Sequence, residues 1–346
     1  MRGLGIGYIA VVLLSSAANA QDELVAVNQH GDKEQYAGNI VEIATLEALT
    51  DTFMASMLRV GVTGVLEQTG SNTINTIQHS GNLDRVVQRF EGEQSVTNTL
   101  ALGIVDVFGS VTQNGNNIAN SSQSRTLNFA GQMLGDDARQ AVLNTAEFAI
   151  LYGSIEQSGS NIANNAVAHV AIGTASQDIG KNAVQTVTNR LELAAMSAIA
   201  SAVNQRGENF GNIMMSDEVD RVTRDFAGDQ IIHNVVVLAD GAPGTINQYG
   251  INVANLITSS KIGSLSQTSS GHQSVTNEVF DARGNLLSGG NISQVAENYV
   301  NMIVLTAPAD GADGAIISVD QSADYPQTAS GSGNQSQTGN ALTVNR

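Results

Sequence analysis

The chain has 346 residues, and its 32 acidic against 15 basic residues give a formal net charge of −17 at pH 7. Such a chain is repelled by nucleic acid and by anionic membrane surfaces, so no nucleic-acid partner is expected. The absence of cysteine excludes disulfides, and the 35 glycines without tryptophan favour thin, stacked β-structure over one thick core.

The first predicted element is a secretory signal over residues 1–20. Arg2 precedes an apolar run at 4–14, and residues 18–20 (Ala-Asn-Ala) fit a small-x-small cleavage site. The run is about half of the ~20 residues that a membrane-spanning helix needs, which argues against an uncleaved anchor and against membrane insertion. Removing Arg2 takes the formal net charge to −18.

A repeat occupies the rest of the chain. Residues 21–60 are interpreted as an N-terminal segment with a degenerate first copy around Gln29, and residues 61–346 as the regular copies. In the copy at 245–255, every second residue from Ile246 to Ala254 gives Ile, Gln, Gly, Asn and Ala. These side chains share one face of a β-strand.

The copies align on a central glutamine that recurs every 39 to 48 residues, a period typical of repeat architectures. The glutamines are Gln29, Gln68, Gln113, Gln157, Gln205, Gln248, Gln294 and Gln337. Glycine stands two places later in most copies, at Gly70, Gly115, Gly159, Gly207, Gly250 and Gly339. Asparagine stands four places later in the six central copies, at Asn72, Asn117, Asn161, Asn209, Asn252 and Asn298.

A second, weaker unit lies between these copies. The stretches 92–98, 228–234 and 271–277 share the order Gly-x-Gln-x-x-x-Asn, and their glutamines follow the preceding central glutamine by 25 or 26 residues. Each long period is therefore predicted to contain two rungs of roughly 22 residues, alternating between two related versions.

Stacked copies explain the identical polar residues. Neighbouring strands lie ~4.8 Å apart, so stacking sets Gln over Gln and Asn over Asn within reach of their side-chain amides. An amide has both donor and acceptor groups, so a column of amides satisfies itself in the interior. The glycine between the columns is expected to let two sheets approach closely.

Two stretches are ambiguous between helix and strand because they are rich in Ala, Leu and Met. Residues 191–202 are assigned to a strand because they are in phase with strand-like segments of other copies, and residues 45–58 are left open. Residues 240–244, 283–285 and 307–314 are predicted loops.

The repeats resemble those of curlin, the subunit family of curli, which are extracellular functional-amyloid fibres of bacterial biofilms. Curlin rungs carry Gln-x-Gly followed by Asn-x-Ala, as residues 248–250 and 252–254 do here, and as 113–115 and 117–119 do. The similarity covers residues 65–346. The gap between glycine and asparagine is one residue shorter than in curlin, and this chain is about twice as long as a typical curlin subunit.

The resemblance implies an all-β fold: a β-solenoid or cross-β stack of strand-arc-strand rungs. It also implies a secreted structural protein that reaches the cell surface through the periplasm and forms fibres for adhesion and biofilm matrix. The implied partners are other copies of the chain, periplasmic chaperones, a curli-type nucleator subunit and an outer-membrane export channel. No cofactor is implied.

The sequence offers little catalytic chemistry. The five histidines fall in no metal-binding spacing and are expected on the surface, the carboxylates are dispersed, and no nucleophile or phosphate-loop motif occurs in the mature chain. We therefore expect neither an enzyme nor a metal site. Two alternatives to the fibre subunit stay open: a monomeric β-solenoid adhesin that binds a host or sugar surface, and a β-helical polysaccharide-active enzyme, which the absence of tryptophan disfavours.

Overall fold

The computed structural model describes residues 25–42, 60–62, 64–196, 201–240, 244–287, 291–306, 315–323, 327–330 and 334–344. The predicted secretory signal, the ambiguous stretch 45–58, residues 241–243 of the predicted loop 240–244 and the predicted loop 307–314 lie outside these ranges. In the described part the chain is all-β, with parallel strands and no helix, and so with no helix that could span a membrane.

The strands lie on three faces, which the chain visits in a fixed order. Face 1 contains β4 (Val65–Gln78), the first part of β7 (Ser110–Leu134), the first part of β9 (Ser154–Ile179), β11 (Ala202–Met215), β14 (Thr245–Ser259), β17 (Ile292–Leu305) and β20 (Asn334–Val344). Face 2 contains β1 (Val25–Gly31), β5 (Asn82–Phe90), the second parts of β7 and β9, β12 (Glu218–Phe226), β15 (Lys261–Ser269) and β18 (Ala315–Ala323). Face 3 contains β2 (Gln35–Glu42), β3 (Val60–Val62), β6 (Glu93–Val107), β8 (Arg139–Leu151), β10 (Val184–Met196), β13 (Asp229–Asp240), β16 (His272–Asp281) and β19 (Gln327–Ser330).

One passage over faces 1, 2 and 3 is called a coil. Each strand pairs in parallel with the strand of the same face in the next coil, so Gln113 lies opposite Gln157, and Gln205 opposite Gln248. This repeated parallel pairing is compatible with a β-solenoid.

The prediction of two rungs of roughly 22 residues per period is wrong. From β4 to β17, paired residues are 43 to 48 positions apart, so the whole period forms one coil. The second sequence unit does not stack on the first. It forms face 3, which stacks on other face 3 strands and packs across the interior against face 1.

Faces 1 and 3 approach each other where face 1 has glycine. A Cβ atom added to Gly159 would lie 2.4 Å from Val187 Cγ1 and 3.0 Å from Val142 Cγ1. A Cβ atom added to the corresponding glycine of another coil would lie similarly close to the side chain of Val96, Val142, Ile232 or Val275. These branched side chains form a buried apolar row, so the glycine column sets the distance between the two faces.

Face 1 bends at a second asparagine of the repeat, which lies three residues after the asparagine that follows the central glutamine by four places. Asn75, Asn120 and Asn164 have φ angles of 52°, 54° and 49°, in the left-handed region that asparagine tolerates better than most residues. Beyond this bend the interior contains a second apolar cluster, which includes Leu127, Ile172 and Met214. The bend thus turns the last part of face 1 towards face 2.

Two predictions on local structure can be compared directly. The strand predicted over 191–202 is found only in part: residues 191–196 end β10 on face 3, Ser201 is in no strand, and Ala202 begins β11 on face 1, while residues 197–200 lie outside the described part. The predicted loop at 283–285 is confirmed, because Gly284 has a φ of 77° and Asp281 Oδ1 accepts hydrogen bonds from the backbone N–H groups of Arg283 and Asn285.

We expect Gly159→Ala to lower the free energy of unfolding by about 1–3 kcal/mol, because the added methyl group overlaps Val187. Gly38→Ala is the matched control, since a Cβ at Gly38 meets nothing within 4 Å. Its effect should stay within about 0.5 kcal/mol. Urea unfolding followed by circular dichroism measures both, and equal midpoints would contradict the close approach of faces 1 and 3.

Candidate functional site: the buried amide ladders

The glutamines of face 1 form a continuous hydrogen-bonded column inside the stack. Each Nε2 group donates to the Oε1 atom of the glutamine in the preceding coil, over 2.6–2.8 Å. The column runs through Gln68, Gln113, Gln157, Gln205, Gln248 and Gln294, all of them buried. Every amide in the middle of this column therefore donates to one neighbour and accepts from the other.

The asparagines of face 1 form a second column beside the first. Each Nδ2 group donates to the Oδ1 atom of the asparagine in the following coil, over 2.9–3.0 Å. The members are Asn72, Asn117, Asn161, Asn209, Asn252 and Asn298. The asparagines at the bend of face 1 repeat the pattern from Asn75 to Asn301.

The second N–H of each amide ties face 1 to the opposite wall. Gln113 Nε2 also donates to the backbone carbonyls of Asn98 and Thr145, at 3.1 and 3.0 Å. Asn117 Nδ2 donates to the carbonyl of Ala141 at 2.9 Å. Each ladder residue thus joins neighbouring coils along the stack and neighbouring faces across it, which leaves few polar groups unpaired in the interior.

Faces 2 and 3 carry three further ladders. Face 3 has a glutamine ladder and an asparagine ladder, formed by Gln35, Gln94, Gln140, Gln185, Gln230 and Gln273 and by Asn39, Asn98, Asn144, Asn189, Asn234 and Asn277. Face 2 has a glutamine ladder through Gln29, Gln88, Gln132 and Gln177 that resumes at Gln267 and Gln321. Sequence reasoning missed the face 2 ladder, although Gln88, Gln132 and Gln177 recur at the period of the repeat.

The two end copies do not occupy the positions expected from the sequence alignment. Gln29 pairs with Gln88 on face 2, so it is not the first member of the face 1 column. Gln337 lies opposite Asn298 and not opposite Gln294, because β20 is displaced by four residues relative to the alignment. Gly339 consequently lies one place before Asn340, the partner of Asn301, instead of opposite Ala296.

The ladders have a direction. In every glutamine ladder the later coil donates to the earlier one, as Gln113 does to Gln68. In every asparagine ladder the earlier coil donates to the later one, as Asn72 does to Asn117. Each ladder is therefore polar: glutamine donors and asparagine acceptors are directed towards the amino-terminal end of the stack, and glutamine acceptors and asparagine donors towards the other end.

One residue interrupts the face 2 ladder. Arg224 stands between Gln177 and Gln267 in the register and is the largest fully buried side chain. Its three nitrogen atoms, together with Gln177 Oε1 and Gln267 Nε2, have no hydrogen-bond partner among the described residues. Burial lowers the pKa of Arg224 to about 9, so the guanidinium is still charged at pH 7, and an unpaired buried charge is destabilising.

The perturbed groups of the outer surface include Tyr249 and Asp178. Tyr249 is half-buried and donates to Glu297 Oε2 at 3.3 Å, and burial together with that carboxylate raises the pKa of Tyr249 to about 12. Burial and the neighbouring Asp225 raise the pKa of Asp178. Both groups lie among other surface side chains of stacked strands.

Within the described ranges, no three or more His, Asp or Glu side chains come together as a metal site would require. His30, His79, His169 and His233 are exposed, as expected, while His272 is half-buried. The ladders can therefore supply cohesion between coils and a directional surface at each end of the stack.

We expect Gln248→Ala to lower the free energy of unfolding by about 2–3 kcal/mol. It removes the hydrogen bonds of Gln248 to Gln205 Oε1, to Gln294 Nε2 and to two backbone carbonyls in the interior. Asn247→Ala is the control on the same strand, because Asn247 is exposed and bonds only to Asn204 in an outer pair. Denaturant midpoints measure both, and equal losses would show that the inner ladder is no stronger than the outer pair.

We expect Arg224→Gln to raise the free energy of unfolding by about 1–4 kcal/mol, because it removes an unpaired buried charge and rejoins the ladder between Gln177 and Gln267. Arg221→Gln is the control, since Arg221 is exposed on the same strand. A lower denaturant midpoint for Arg224→Gln than for the unchanged protein would contradict this account of the interrupted ladder.

Comparisons with protein-family models, with curated proteins and with solved structures found no match for the chain. A functional conclusion must therefore rest on the ladders and on the two ends of the stack.

Proposed function

We propose that the protein is a secreted structural subunit that polymerises end to end into a curli-like extracellular fibre, supporting cell adhesion and the biofilm matrix. The observation that carries this proposal is that the described stack ends in open strand edges. β1, β2 and β4 are the last strands of their faces at one end, and β18, β19 and β20 at the other. Unpaired edges of this kind are templates for adding further strands.

The ladders support the same proposal. Each ladder keeps a single direction, as from Gln88 back to Gln29 and from Gln94 back to Gln35 in the glutamine ladders. A further copy added at an end can continue a column, as Gln29 of the next copy would after Gln321 on face 2, whereas a capped end would have to satisfy it in another way. The arrangement is curlin-like in its Gln and Asn columns, with three-stranded coils of about 44 residues in place of the rungs of about 22.

The partners implied by the resemblance belong to this proposal. They are a nucleator subunit, periplasmic chaperones and an outer-membrane export channel through which an unfolded chain passes. A chain without disulfides suits such a route, because no covalent cross-link has to be broken before export.

A second candidate is a monomeric adhesin, and one surface feature favours it. The rings of Phe108 and Tyr152 stack at 4.8 Å with an interplanar angle of 1°, and the two side chains are 50% and 37% exposed. Exposed aromatic faces of this kind contact the apolar faces of sugars. Loss of glycan binding in Phe108→Ser, with the protein monomeric throughout, would favour the adhesin over the fibre subunit.

We expect the chain from Gln21 onwards, purified unfolded and diluted into neutral buffer, to form unbranched fibres. Their diffraction should show the ~4.8 Å strand spacing along the fibre axis. Negative-stain imaging and X-ray fibre diffraction test this. A monomeric scattering profile without fibres or thioflavin response after several days would overturn the proposal.

A further inference from the structure

The two ends of the described stack are staggered in complementary ways. At the amino-terminal end, β1 and β2 pair with β5 and β6 and so form one level before the coil that β4 begins. No described strand of face 1 lies at that level. At the other end, β20 extends face 1 by one level beyond β18 and β19.

The number of strand levels on each face agrees with this stagger of the two ends. Each face has seven levels in the described part, but face 1 is displaced by one level relative to faces 2 and 3. The amino-terminal end therefore holds two thirds of a coil, and the carboxy-terminal end holds the remaining third.

We propose that β20 of one copy supplies the missing face 1 strand of the incomplete coil formed by β1 and β2 of the next copy. The joint between two subunits is then one coil built from two chains. This inference rests on the proposed fibre and names its partner surface, which is a second copy of the same chain.

Residue sizes at the joint fit this assignment. In the coils of β4 to β14, face 1 has glycine opposite a valine or isoleucine of face 3, such as Gly159 near Val187. In β20 the register position of this glycine column is held by Gln335, opposite Ala296. The valine column of face 3 meanwhile ends in alanine on both sides of the joint, at Ala37 in β2 and at Ala329 in β19.

At the joint, the residue sizes are therefore reversed between the two faces: face 1 has the larger residue type and face 3 has the smaller ones. In a regular coil, Gly115 lies between Val142 of its own coil and Val96 of the preceding one. At the joint, the register places position 335 at the level of Ala37 of the next copy and one level after Ala329 of its own copy. A larger residue type on face 1 would then stand at the level of smaller residue types on face 3, which would keep the volume between the faces close to that of the other coils.

Ladder direction fixes the polarity of the joint. On faces 2 and 3, Gln29 and Gln35 continue the glutamine columns when they follow Gln321 and Gln327 of another copy, whereas two amino-terminal ends would set donors against donors. Such a head-to-tail contact does not close and produces a filament. Seven levels per copy give an axial repeat of about 34 Å, from a ~4.8 Å strand spacing.

A double-mutant cycle on the chain from Gln21 tests the joint. We expect Ala37→Val to slow seeded fibre elongation by about tenfold, because it places valine against Gln335. Gln335→Gly combined with Ala37→Val restores the regular glycine and valine pair and should return elongation to within about twofold of the unchanged chain. Gly38→Ala, on the same strand but facing outward, is the control and should have no effect.

A truncation gives an independent readout. The chain ending at residue 333 lacks β20 and should elongate poorly, and a synthetic peptide of residues 331–346 should restore elongation while a scrambled peptide should not. If the full chain forms fibres but Ala37→Val and the truncation elongate normally, the joint is wrong and the fibre proposal stands. If the full chain forms no fibres, the proposed function itself fails.

Discussion

The structure depends on the pairing of buried side-chain amides from one coil to the next. An amide in an apolar interior is costly unless both its donor and its acceptor are used, and a column of identical amides uses both. Gln113 shows how complete this pairing is, since it bonds to Gln68, Gln157, and two backbone carbonyls of face 3. Six such columns hold a chain that has no disulfides and few large aromatic side chains.

The ladders also fix the register of the strands. In parallel strands of Val, Ile and Ala alone, a shift by two residues would keep the same face inward at little cost. A shift in this protein would set an amide against an apolar residue and leave its polar atoms unpaired. Arg224 shows the cost of such a mismatch, because its guanidinium and the two neighbouring glutamines have unpaired groups.

The need to pair every buried amide also determines what the two ends of the stack require. A ladder has no natural stopping point, so its terminal amides need water, a cap or another copy of the chain. In the proposed fibre, the stagger of face 1, with Gln335 in place of glycine and Ala37 in place of valine, would give a second copy a defined place to bind. Adhesion and matrix strength would then come from repetition of the coil and not from a localised active centre.

The sequence by itself determined the all-β fold, the period and the ladder residues from Gln68 to Asn298, because identical amides at a constant spacing are favourable only when stacked. It did not determine how many strands fill one period. That number depended on the bend at Asn75, Asn120 and Asn164, on the unpredicted face 2 and on the packing of Gly159 against Val187, all of which require residues distant in sequence to meet. The positions of Gln29 and Gln337 were likewise decided by tertiary structure, since the edge strands follow the pairing of their neighbours and not the motif they carry.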